Sequence, residues 1–323
     1  MFLRAAASLL LAAGFWTVLS VPTACAQALN IYATGTSFGC ADVEFDVAGN
    51  LYATGGANTS GKIYKIPPGG GTASLFVSSG LYWPWGLAMS PGGTLYVCDR
   101  GDQNVANAGA IYSVSATGVL TLFKGGLPEC LFIVFDPAGN LYAAAYSQNK
   151  IIKISSDGVV SDYATGIGVV SNFLYQMSFD VAGNLYVGVQ QGMYKIGPGG
   201  SSVTQIFDGA GQSMGHIQWA DDRFILGTYG HRQLVYWSPT TGLKNLLAKS
   251  STLCPPAPPA SPGVLAGNTT PATAFMFEPT GMRIHDGKVF VGDYGCHDVR
   301  SFDLPLFTPT AGSTWGRLKV MYR

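Results

Sequence analysis

The chain has 323 residues, 47% hydrophobic and only 11% charged, with 43 Gly, 18 Pro and a formal net charge of zero. Such a length buries a sizeable core, and abundant Gly with few charges suits a turn-rich all-β domain. The lack of a basic surplus argues against nucleic acid or an anionic membrane as a partner.

Residues 1–26 read as an export signal. Arg4 gives a positive start, residues 5–19 a short apolar run, and Ala24-Cys25-Ala26 a small-residue cleavage site, with the cut expected after Ala26. A membrane anchor is the competing reading, but the run is short for a bilayer. A lipid on Cys25 is a further alternative, disfavoured by Pro22 where a branched apolar residue is usual. No other stretch is long and apolar enough to span. The expected product is a secreted or periplasmic monomer.

From residue 27 onward one phrase recurs. It stands as Phe45-Asp46-Val47-Ala48-Gly49-Asn50-Leu51-Tyr52, then Ser90-Pro91-Gly92-Gly93-Thr94-Leu95-Tyr96. It returns at Phe135-Asp136 to Leu141-Tyr142 and at Phe179-Asp180 to Leu185-Tyr186, and weaker copies lie at 220–225 and 285–290. The first four copies are about 44 residues apart, the period of a four-stranded propeller blade. Asp or Ser opens a tight turn and Gly supplies its positive φ, so each phrase is a hairpin between two strands, near 46, 90, 136, 180, 221 and 286. Third strands are expected at 61–66, 110–114, 150–154, 192–196, 233–237 and 299–302, and fourth strands at 73–77, 120–124, 160–164, 203–207 and 243–247.

The chain therefore predicts one domain over 27–323, a six-bladed β-propeller with four antiparallel strands per blade. The ring must close, because an open stack would leave sheet faces exposed. Residues 28–35 resemble the fourth strand of blade 4 and are expected to complete blade 6, although 315–322 also reads as a strand. Residues 250–279, with Cys254-Pro255-Pro256, break the spacing as a long surface loop, either a lid on the channel or a plain insertion.

Cleavage leaves Cys40, Cys98, Cys130, Cys254 and Cys296, an odd number in an oxidising compartment. Aligned on the hairpin phrase, two pairs fall at similar junctions between neighbouring blades. Disulfides Cys98–Cys130 and Cys40–Cys296 are expected, with Cys254 competing for Cys296.

Phrases such as Trp85-Gly86-Leu87-Ala88-Met89-Ser90-Pro91-Gly92-Gly93-Thr94-Leu95-Tyr96-Val97, followed by Asp99-Arg100-Gly101, resemble the NHL-repeat propellers. The chain is also similar to the gluconolactonase-like and virginiamycin B lyase-like families built on that plan. The gluconolactonase type implies a divalent metal in the channel, held by Glu, Asn and Asp at the starts of inner strands. Here those positions carry Ala41, Trp85, Leu131, Tyr175 and Gly281, poor ligands for a hard cation, with Asp42 and Glu129 nearby. The usual set is incomplete, and whether a metal binds stays open. The lyase-like relatives imply a histidine and acid cluster instead.

Loops between blades, and those between second and third strands, share one face, the usual ligand entrance. His216, His231 and His297 map there with Asp293, and imidazole beside a carboxylate suits proton transfer near neutral pH. These four are the candidate catalytic residues, with His216 as general base. Trp85, Asp99, Arg100, Glu129, Tyr146, Tyr175, Tyr229 and Tyr294 are candidate ligand contacts, aromatic faces with polar tips that suit sugars or flat organic molecules. His285 is expected as a solvated turn residue on the opposite rim. Two functions are carried forward. One is a secreted hydrolase or lyase acting on a small organic or sugar-derived substrate, lactone- or ester-like, at the channel mouth. The other is a non-catalytic propeller binding a carbohydrate, small molecule or protein through its loop face.

Overall fold

A computed structural model describes residues 30–34, 39–55, 60–146, 148–168, 174–190, 192–208, 214–220, 223–228, 233–238, 244–249 and 279–304. The expected export signal, the Pro-rich segment, Tyr229, His231, Cys254 and residues 315–322 lie outside these.

Six sheets form the six blades. Blade 1 comprises Val43–Phe45, Leu51–Gly55, Gly61–Ile66 and Ser74–Leu81; blade 2 comprises Pro84–Met89, Leu95–Asp99, Gly109–Val114 and Leu120–Leu127. Blade 3 runs Cys130–Phe135, Leu141–Ala145, Lys150–Ile154 and Val160–Thr165, and blade 4 runs Leu174–Phe179, Leu185–Val189, Gly192–Ile196 and Val203–Asp208. Blade 5 is Met214–Ala220, Arg223–Thr228, Gln233–Trp237 and Lys244–Lys249. Blade 6 takes Pro279–His285, Lys288–Asp293 and Asp298–Asp303 from the end of the chain and Asn30–Thr34 from its start, with Ile31 opposite Arg300 in antiparallel register. The N-terminal clasp is therefore the outer strand of blade 6.

The hairpin phrase works as a lock. Asp136 accepts hydrogen bonds from Asn140 N and Nδ2, both at 2.8 Å, and from the Tyr142 hydroxyl at 3.0 Å. Asp46 and Asp180 hold Asn50 with Tyr52, and Asn184 with Tyr186, in the same way. Each tyrosine thus has its polar tip satisfied while its ring packs on aromatics of its own or the next blade, as Tyr142 does on Tyr163 and Phe179.

The core is a set of wedges between neighbouring blades. Tyr52, Ile63 and Val77 of blade 1 meet Leu87, Leu95 and Val97 of blade 2. Ala33, Phe290 and Val299 of blade 6 meet Val43, Leu51 and Ile66 of blade 1, so the last seam is as apolar as the others. The turns before the fourth strands come so close to the preceding blade that only glycine fits. A Cβ on Gly200 would lie 1.9 Å from the Tyr163 carbonyl oxygen, and one on Gly70 would lie 2.2 Å from that of Tyr32. Beside Gly70, Gly71 and Thr72 add a short parallel pairing to the clasp strand.

The cysteines fall differently from part of the expectation. Cys98 and Cys130 do meet across the junction of blades 2 and 3, with Sγ atoms 2.7 Å apart, both as buried free thiols. Cys40 is also a buried free thiol, whereas Cys296 is disulfide-bonded. The Cys40–Cys296 bridge is therefore not formed. Cys40 instead packs in the apolar seam between blades 6 and 1, and its sulfur lies 2.7 Å from where a Cβ on Gly292 would stand.

Candidate functional site

Six inner strands line the axis with edges that have no further strand to pair with. Polar side chains take that role. Asp42 Oδ2 accepts from Leu87 N at 2.9 Å, and Ser178 Oγ accepts from Trp219 N at 3.3 Å. Gln176 reaches from blade 4 to blade 6, donating to Met282 O at 2.9 Å and accepting from Met282 N at 3.4 Å. Arg283 donates to Glu44 at 2.9 Å, to Leu87 O at 2.8 Å and to Met282 O at 2.8 Å, with Asp42 Oδ2 3.5 Å away. Buried backbone groups need such partners, which explains a polar axis inside an apolar ring.

Burial raises the Asp42 carboxyl to about 6, while Arg283 and the Leu87 amide pull it back down. A Cβ on Gly281 would lie 1.8 Å from Asp42 Oδ1, so the glycine that stands where a metal ligand was expected makes room for this carboxylate. The axial residues do not fit a divalent metal: the two carboxylates there, Asp42 and Glu44, are both paired with Arg283. Among the described residues no three His, Cys, Asp or Glu converge as a metal cluster. At the hairpin end the axis widens into a cavity of about 210 Å³ lined by Glu44, Met89, Phe135, Met177, Ser178, Gln218 and Arg283.

At the loop face the described candidates form two arcs of ring contacts. Trp83 and Trp85 lie 6.2 Å apart between centroids, and Trp85 stacks on Tyr294 at 6.0 Å. Arg100 is sandwiched between Trp83 at 4.8 Å and Tyr146 at 4.9 Å, and its guanidinium pairs with Glu129 at 3.1 Å. Tyr146 continues to Tyr175 at 6.1 Å, Tyr175 to His216 at 6.2 Å, and His216 to Phe132 at 5.4 Å. Asp99 organises the floor, accepting from Tyr82 N and Trp83 N at 2.7 Å each and from Gly101 N at 3.1 Å.

The described candidates for catalysis differ in their surroundings, and Asp293 and His297 both act electrostatically on Asp298. His216 is 2% exposed, and its Nδ1 is buried with no hydrogen-bond partner among the described residues. Burial alone pushes its conjugate acid down to about 3, so the ring is neutral at physiological pH. Asp293 is fully buried, accepting from Cys296 N at 3.2 Å and facing Arg300 at 3.5 Å. Arg300 in turn forms a fork with Asp298 at 3.0 and 3.1 Å, and burial raises Asp298 to about 6 against that pull. His297 is exposed in a left-handed turn at φ 57°. On the opposite rim His285 is not a plainly solvated turn residue: it is half-buried and stacks on Phe45 at 4.1 Å, 7° from parallel. Sequence reasoning missed Glu44, Gln176 and Arg283, and noted Asp42 only as lying near the expected metal-ligand positions. The visible signal was charge or amide at inner-strand positions that are otherwise apolar.

Comparison with known proteins agrees with this architecture. Residues 81–106 match the NHL repeat family. Blade 2 carries that repeat. No curated relative matches the chain. Among solved structures, an auxiliary nutrient binding protein from Bacteroides thetaiotaomicron is similar with TM-score 0.64 and 13% identity, over 85% of this chain and 76% of that one. Virginiamycin B lyase from Staphylococcus aureus, solved as an inactive variant with quinupristin, gives 0.56 and 14% identity over 84% and 81%. A nidogen/laminin complex gives 0.56 and 14% identity, over 68% and 91%. At these identities the likeness is one of fold, and fold does not fix chemistry.

Proposed function

We propose that the protein is an exported binding propeller that holds a small, ring-bearing organic ligand at its loop-face mouth. The observation that carries this reading is the surroundings of His216. A general base needs a partner that raises its basicity, and here an imidazole whose buried Nδ1 has no partner among the described residues sits edge-on to Phe132 with its proton affinity lowered by burial. Around it the face offers ring surfaces from Trp83, Trp85, Tyr146, Tyr175 and Tyr294, the kind of lining that holds ligands by contact area. Residues 1–26 support export, and the nutrient-binding relative supports a binding role for this fold.

Thermal melts of the purified protein with a panel of lactones, aryl esters, sugars and flat aromatic molecules test the proposal. A saturable rise in Tm without loss of the added compound is expected. Steady consumption of any panel member, abolished by His216→Phe, would replace binding with histidine-based hydrolysis or elimination.

A further inference from the structure

We infer that the ligand is a neutral, polyhydroxylated ring, that is, an uncharged sugar; this rests on the binding reading above. The argument begins with charge. Arg100 and Glu129 neutralise each other, and the two faces of the guanidinium are covered by Trp83 and Tyr146. In the orientation that suits its neighbours, the Gln103 amide oxygen accepts from three Arg100 nitrogens, Nε at 3.1 Å and the two terminal nitrogens at 2.9 and 2.5 Å. Asp99 has three backbone N–H donors, and Asp293 has Cys296 N and Arg300. The imidazole of His216 is uncharged at neutral pH. Among the described residues these charged groups are therefore paired within the protein, apart from Arg300 Nη1, which is buried without a partner, and a charged ligand at Arg100, Glu129 or Asp99 would have to break a pair to gain one.

Polar demand nonetheless remains. Among the described residues Trp85 Nε1 and His216 Nδ1 are both buried without a partner. Native proteins leave few such atoms, and each is costly unless something meets it. The indole N–H only donates, while a neutral imidazole nitrogen accepts or donates according to its tautomer. A hydroxyl can satisfy either, because it does both. Trp85 belongs to blade 2 and His216 to blade 5, which stand opposite each other in a ring of six. A molecule that meets both must lie across the axis and carry hydroxyls on more than one side. The C–H face of a pyranose matches the tryptophan and tyrosine faces beside these atoms.

The test is binding of the full-length mature protein to an array of neutral glycans, followed by titration of the best neutral sugar and of its uronic acid and amino-sugar counterparts. Tryptophan fluorescence provides the signal, since Trp83 and Trp85 line the mouth. A neutral sugar is expected to bind saturably, each charged counterpart at least tenfold more weakly, and Trp85→Phe to weaken the neutral sugar about tenfold. The Tm of that variant, compared with wild type, separates lost binding from lost folding. Tighter binding of a charged counterpart, or unchanged affinity in a Trp85→Phe variant that retains its Tm, would overturn the inference. So would an array with no bound glycan. If a flat aromatic compound still raises Tm in that last case, the binding reading survives and the sugar assignment alone falls; if nothing binds, both fall.

Discussion

His216 illustrates how one buried side chain couples a site to stability. Its folded-state pKa, about 3, lies below the ordinary value near 6.5. The unfolded chain therefore binds the proton more readily, and stability present above pH 6.5 is lost as pH falls toward 3. By pH 5 that loss amounts to about 2 kcal/mol. Asp42 and Asp298 act in the opposite sense. Their carboxyls are raised to about 6, so protonation as pH falls from 6 toward 4 favours the folded state. In the wild-type protein the imidazole and the two carboxyls therefore oppose one another on acidification. His216→Phe removes one side of that opposition, and melts at pH 7.5 and pH 5 should show the variant gaining about 2 kcal/mol over wild type on acidification. Equal pH shifts in the two proteins would mean that the imidazole is not buried and neutral. The position of His216 on an inner strand was legible in the sequence. Its isolation was not, because it depends on Phe132 and Tyr175, which come from two other blades.

Among elements, the hairpins were the most readable, and the Asp-to-Tyr lock explains why. The phrase is local: every partner of Asp136 lies within six residues of it, so it survives as a pattern in the chain. Third strands match closely, as at Gly61–Ile66 and Lys150–Ile154. Fourth strands run longer than the sequence suggests, because register shifts let Ser74–Leu81 and Leu120–Leu127 reach past the expected ends. The cysteines divide along the same line. Cys98 and Cys130 were paired because they fall at one junction between neighbouring blades, and their sulfurs do meet there, as free thiols rather than as the expected disulfide. Treating the purified, reduced protein with oxidised glutathione should join them, each new protein disulfide releasing two molecules of reduced glutathione. Mass spectrometry should then find one cross-linked peptide containing both residues, with Cys40 still titrating as a thiol after denaturation. Separate Cys98 and Cys130 peptides under those conditions would rule out the bridge. Cys40 was placed at the right junction, between blades 6 and 1, but its bridge to Cys296 is not formed, because the alignment said nothing of the apolar seam around it.

For the whole molecule, the number of blades followed from the period, and closure followed from the need to cover sheet faces. What the sequence left undetermined was how the axis is filled, since Asp42, Gln176 and Arg283 are joined by contacts between residues up to 241 positions apart. The seam between blades 6 and 1 combines the clasp strand, its apolar cluster and the Arg300–Asp298 fork. Ala33→Pro removes an amide from a strand paired on both sides and should destabilise the protein by on the order of 3 kcal/mol, lowering Tm by several degrees. A variant with wild-type Tm would mean that residues 30–34 do not close the ring.

That clasp also imposes an order on assembly. The first strand of the ring in chain order is needed last, since Asn30 stands opposite Ser301 of the final blade. Until the C-terminal wedge arrives, the growing arc has two bare ends, and the earliest strand has nowhere to dock. Maturation should therefore be slow and strongly dependent on chain topology, with the half-built arc as the species most exposed to self-association.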